Sequence, residues 1–150
     1  MLIIGMGILS FSCDTLALRN IILEANAITA SLNTLPTGFD DFSSTGSVEQ
    51  LNSQINVLLQ AIHGLEKTMV SQNFSEDMEA VKNFYNHEYR QSIVNIKLAI
   101  SEKLGALKSM EQGSDTIRQN SLINELKESI NAYIDIHNQF IALLESQRGD

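Results

Sequence analysis

Apolar residues recur at alternating spacings of four and three along one stretch, at Leu51, Ile55, Leu58, Ile62, Leu65 and Met69, with polar residues between them. At 3.6 residues per turn that spacing lines one face of a helix. Similar stripes run through Leu18, Ile21, Ala25, Ile28 and Leu32, through Ile93, Ile96, Ile100, Leu104 and Leu107, and through Ile123, Leu126, Ile130, Tyr133, His137, Phe140 and Leu144. Each helix must bury its stripe against the others, so the pattern predicts an all-α protein, an antiparallel bundle of four to five helices.

Breakers and caps set the expected bounds. A first helix is expected from about Asp14 or Leu18 to about Asn33, stopped by Leu35-Pro36-Thr37-Gly38, because proline lacks the N–H that a helix interior needs. Residues 39–46 then read as a loop, with Phe39 or Phe42 folding back over one end of the core. Ser47 and Gln50 have the spacing of a capping box and open a second helix that lasts to about Ser71. Ser75 is placed to cap a third, from about Glu76 to Glu111. Its aliphatic stripe is interrupted by Phe84-Tyr85-Asn86-His87-Glu88-Tyr89, where a bend or break near Asn86 is expected. The turn Gln112-Gly113-Ser114 leads into the last helix, from about Asp115 to Ser146.

Length and composition fit this picture. With 150 residues, 43% hydrophobic content and a single proline, the chain can fill one core and carries few breakers. Eighteen acidic against ten basic residues give a net charge of −8, with the basic residues scattered singly. That balance opposes binding to nucleic-acid phosphates and to anionic lipid head groups. The run LIIGMGILSF at residues 2–11 resembles a signal-peptide core, is too short to span a membrane, and lacks a basic flank; it reads either as part of a leader over residues 1–17, preceding one domain over residues 18–150, or as the first buried segment of the bundle. Cys13, the one cysteine, has no partner for an internal disulfide. Asn73-Phe74-Ser75 matches a glycosylation sequon between two expected helices.

Little of the chemistry that marks enzymes is present. His63, His87 and His137 lie on separate expected helices and none has a second histidine at i+3 or i+4 to complete a metal motif, and His137 on its apolar face reads as a hydrogen-bonded core residue. Nucleophile elbows and phosphate-cradling glycine patterns are missing, and Asp40-Asp41 and Glu76-Asp77 suit a loop and a helix start. No catalytic residue, metal or cofactor is assigned.

The order of features is the remaining signal. The helix NIILEANAITASLN, the second helix ending near NFSED, and ISEKLGALKSMEQGSDTIRQNSLINELKESINAYIDIHNQFIALL together resemble the hydrophobic surface-binding protein A family, which includes fungal cell-wall galactomannoproteins. The likeness spans about Leu18 to Leu144 and rests on helix order and positions such as Ser75, Lys103, Leu107, Leu126 and Leu144. The resemblance implies secretion to the fungal surface, its wall or the medium, and a helical domain that adsorbs to hydrophobic surfaces or holds a fatty acid in its central cavity. Joined to the stripes, it leads to a non-enzymatic domain binding a long-chain fatty acid among Leu58, Leu59, Ile62, Ile93, Ile96, Ile100, Leu126, Ile130 and Tyr133. The alternative is a structural or partner-binding bundle with a solid core. Both a hollow and a filled core satisfy the pattern.

Overall fold

A computed structural model describes residues 16–72, 74–110 and 115–148. Most of the expected leader with Cys13, the sequon residue Asn73 and the turn at residues 112–114 lie outside the described residues. Among those described, four helical segments form an all-α bundle: α1 (Leu16–Thr45), α2 (Glu49–Ser71), α3 (residues 76–109) and α4 (Thr116–Gln147).

The largest departure from expectation is α1, which runs through Pro36 to Thr45 instead of ending near Asn33. Proline in a helix interior costs about 3 kcal/mol, because it removes the hydrogen bond to the carbonyl four residues back. Hydroxyls on either side bond back to carbonyls of the same helix, Thr34 Oγ1 to Ser31 O and Thr37 Oγ1 to Thr34 O, each at 2.7 Å. The offsetting term is burial. Leu32, Leu35, Phe39 and Phe42 continue the stripe across the proline, and all four are buried; at roughly 1.5–3 kcal/mol each, they outweigh the proline. The two phenylalanines do cover the core, from a helix rather than from a loop. Gly46 stops α1 with φ of 74° and donates its N–H to Phe42 O at 2.8 Å.

Two caps also differ. The expected box at Ser47 and Gln50 does not form: Val48 is the N-cap, and Ser47 Oγ accepts from the Glu49 N–H at 3.3 Å. Ser75 begins α3 through its carbonyl, which accepts from Met78 N–H at 3.0 Å, not through its side chain. Asp115 caps α4, accepting from the Arg118 N–H at 2.9 Å.

Helix α3 is continuous but not uniform. It opens with a 3₁₀ turn and holds two π turns, Tyr85–Tyr89 and Ile100–Leu104. The spacing of buried residues explains the π turns. Val81, Tyr85, Tyr89 and Ile93 are each four apart, as are Ile96, Ile100 and Leu104. Each step of four overshoots a turn by about 40° in an α-helix, so three in succession would swing the stripe about 120° off the core. Wider turns, in which the Arg90 N–H reaches Tyr85 O, absorb that drift. The expected break near Asn86 is thus a π turn.

Helices α1 and α2 lie close along their lengths as an antiparallel hairpin, and α3 and α4 form a second; close backbone approaches between the hairpins are sparser. Within the first hairpin Gly38 lets the Gln54 amide and the Leu51 backbone approach, and Gly64 admits Glu24. Across the hairpins Lys97 pairs with Glu66 at 3.0 Å, and Lys127 lies 5.2 Å above the Phe39 ring. No helix of the described residues is long and apolar enough to cross a membrane.

Two glycines provide a test of this packing by chemical denaturation. A Cβ at Gly105 would meet nothing within 4 Å, whereas at Gly38 it would lie 3.2 Å from Leu51 Cα and against the Gln54 amide. Gly105→Ala is expected to stabilise the protein by about 0.5–1 kcal/mol. Gly38→Ala is expected to lose that gain and to lower stability.

Candidate functional site

The residues expected to line a lipid site come together in one apolar core. Leu58 and Ile62 reach it from α2, Ile93, Ile96 and Ile100 from α3, and Leu126, Ile130 and Tyr133 from α4; Leu59 is partly buried against it. A residue facing a void large enough for water would keep accessible surface toward it. Leu58, Ile62, Leu126 and Ile130 keep 0%, and Ile96 and Tyr133 keep 1%. In this conformation these side chains fill the core rather than surround a cavity.

The polar feature of the interior is a chain of hydrogen bonds centred on His137. The ring is buried on the inner face of α4. Its Nε2 lies 2.9 Å from Thr29 Oγ1 on α1, and its Nδ1 lies 2.8 Å from the Tyr89 hydroxyl on α3, which in turn is 2.5 Å from the Tyr133 hydroxyl. The backbone fixes the proton order. Thr29 Oγ1 donates to Ala25 O at 3.1 Å, so its remaining bond accepts from Nε2–H. Nδ1 is then the acceptor for the Tyr89 hydroxyl, and Tyr89 accepts from Tyr133. The Ala25 carbonyl also interacts with the ring, consistent with the proton on Nε2. Every hydroxyl proton in this chain has an acceptor.

Local sequence positions each member. The π turn brings Tyr89 inward beside Tyr85, the two rings stacking at 5.7 Å, while Phe140 packs 4.7 Å from the Tyr89 ring. Tyr133 and His137, one turn apart on α4, stack with ring centroids 6.0 Å apart. Burial dominates the electrostatics. It lowers the His137 pKa to about 4, opposed by the Ala25 carbonyl. It raises Tyr89 well above its ordinary value, with Tyr133 adding to the effect, and raises Tyr133 likewise. Tyr85 is pushed up to about 12 by burial first and then by the Glu66 charge. At neutral pH the chain carries no formal charge.

A groove of about 280 Å³ runs along the outer seam of α3 and α4, lined among others by His87, Glu88, Gln91, Asn95, Ser129 and Tyr133. Gln91 Nε2 donates to Asn95 Oδ1 at 3.0 Å within it. Among the described residues no three His, Cys, Asp or Glu side chains gather as a metal centre requires. His137 matches its expected role as a hydrogen-bonded core residue. Its partners on α1 and α3 were not legible: Thr29 is a polar residue among aliphatic ones, and Tyr89 belonged to a knot whose register was unknown. The one available signal was the presence of Tyr133 and His137 one turn apart on the same apolar face, two polar side chains that need partners from other helices.

Each bond in the chain predicts a rank order of stability. Tyr89→Phe strips partners from both Tyr133 and His137 and is expected to cost about 2–4 kcal/mol, whereas Tyr133→Phe leaves Tyr89 still donating to His137 and should cost less; urea midpoints of the two variants check this. The pH dependence has a definite sign. His137 titrates near 4 when folded and near 6.5 when unfolded, so the unfolded chain binds the extra proton between those values. This contribution is fully present above about pH 6.5 and is lost as pH falls toward 4, on the order of 3 kcal/mol in all. Urea unfolding of the native protein and of His137→Gln between pH 7 and 4 should show that share of the slope missing in the variant. Neither a protein-family model, nor a curated protein, nor a solved structure matches the chain.

Proposed function

We propose that this chain is a non-enzymatic helical domain that binds the tail of a long-chain fatty acid or similar lipid between its two hairpins. The observation that supports this reading most is the division of the bundle: backbones lie close within each hairpin, while few backbone positions approach between the two hairpins. Because the closed core is filled, a tail enters by parting the hairpins and replacing side-chain contacts along Ile93, Ile96 and Ile130 with its own. Each methylene taken from water contributes about 0.8 kcal/mol before ordering costs. The reading accords with the resemblance to hydrophobic surface-binding protein A and with its implied secreted or wall-associated setting. The scattered basic residues fit a ligand held by its tail better than one held by its head group.

A second reading rests on the filled core itself. Side chains that leave no accessible surface at Leu58, Ile62, Leu126 and Ile130 favour a solid bundle that acts structurally or through a partner. Native mass spectrometry with added palmitate separates the two. The first reading expects one fatty acid per chain, with methyl NMR shifts concentrated at Ile93, Ile96 and Ile130. A chain that refuses palmitate yet gains mass with concentration in sedimentation would overturn it in favour of the second.

A further inference from the structure

We propose that the chain Thr29–His137–Tyr89–Tyr133 is an acid-sensitive latch that holds the two hairpins together. Its geometry is that of a clasp: Thr29 belongs to the α1–α2 hairpin, the other three side chains to the α3–α4 hairpin, and the bond from His137 to Thr29 crosses the seam at 2.9 Å inside the core. Other ties across the seam, such as Lys97 to Glu66, join partly exposed side chains and are screened by water.

The chain has one proton order with every donor satisfied. A proton added to His137 at Nδ1 breaks the bond from Tyr89 while Nε2–H still donates to Thr29, so acid acts on the seam through the buried charge it creates. With both ring nitrogens protonated, Nδ1 can no longer accept from Tyr89. Tyr89 must turn to accept, its own proton passes to face Tyr133, and the Tyr133 hydroxyl gives up its acceptor. The result is a cation amid apolar side chains. The groups facing it do not neutralise it. Helix α4 supplies Tyr133; α3 supplies Tyr89 and Tyr85, with Arg90 acting on Tyr85; α2 supplies the Glu66 carboxylate, felt at Tyr85 and Tyr133; and α1 supplies the uncharged Thr29 hydroxyl and Ala25 carbonyl. Parting the hairpins hydrates the ring, whereas each hairpin keeps its own close packing, at Gly38 and Gly64 in one and around the Phe140 ring in the other. The latch acts whatever occupies the seam, so it does not depend on the lipid reading.

The test measures seam width directly. In a Cys13→Ser background, spin labels at Gln60→Cys on α2 and Glu128→Cys on α4, both exposed positions, report the distance between hairpins by pulsed dipolar spectroscopy. If the opened form restores the ordinary histidine affinity for a proton, the open-to-closed ratio rises by roughly 80-fold between pH 6.5 and 4 and by about 300-fold over the whole titration. The expected result is a longer distance appearing over that range with helical circular dichroism unchanged. His137→Gln keeps an amide donor and a carbonyl acceptor but cannot titrate, and should stay closed. Opening of the variant over the same range, or an unchanged distance in the native chain, would overturn the latch. If the variant does not fold, ring NMR of His137 in the native chain decides: ring protonation and seam opening must follow one titration, and a ring that protonates while the distance holds overturns the proposal.

Discussion

Burying hydrogen-bonding groups at the centre of an apolar bundle is tolerable only when each finds a partner, and the His137 chain meets that requirement with side chains from three helices. The constraint reaches outward. Helix α1 must present Thr29 at the level of His137, α4 must present Tyr133 one turn before it, and α3 must turn Tyr89 inward between them. A rotation of any one helix by a fraction of a turn would leave a buried nitrogen or hydroxyl without a partner. Apolar stripes alone tolerate such slippage, because one aliphatic contact replaces another at small cost. The polar chain therefore specifies the register that the hydrophobic effect leaves loosely defined.

Helix α3 shows what that register requires. Its aromatic cluster sits where successive inward positions are four apart, a spacing that a regular helix cannot keep on one face. The π turn at Tyr85–Tyr89 reconciles the two, allowing Val81, Tyr85, Tyr89 and Ile93 to share the interior. Tyr85 and Tyr89 then stack, Phe140 closes against both, and the Tyr89 hydroxyl is delivered to His137. Backbone irregularity and the buried polar chain are thus one feature seen at two levels.

The all-α class, three of the helix spans and the inward face of His137 were readable from the sequence, because each is written locally in spacing and punctuation. The extent of α1 was not. Pro36 and Gly38 are strong local breakers, but Leu35, Phe39 and Phe42 carry the spacing of Ile28 and Leu32 on beyond them. The continuing stripe was the better guide, since burial of several large side chains exceeds the penalty of one proline. The Ser47 box failed for the opposite reason. It satisfied a sequence pattern, yet Gly46 and Val48 set a turn in which the serine reaches only Glu49. Partners of His137 lay beyond local reading because Thr29 and Tyr89 are distant in sequence and meet it only through tertiary packing.

Whether such a core opens depends on where its adhesion lies. Gly38 and Gly64 bring α1 and α2 to close approach, and the aromatic cluster binds α3 to α4, so each hairpin coheres by itself. Between them stand aliphatic contacts, solvent-accessible ties such as Lys97 to Glu66, Lys108 to Asn52 and Lys127 over the Phe39 ring, and the buried bond from Thr29 to His137. Aliphatic contacts can be exchanged for those of another apolar molecule at little net cost, but the buried bond cannot. A tail lying in the seam would have to leave that bond in place or provide an equivalent acceptor. The same polar chain that fixes the register thus sets the limit on how far, and to what kind of molecule, the interior can yield.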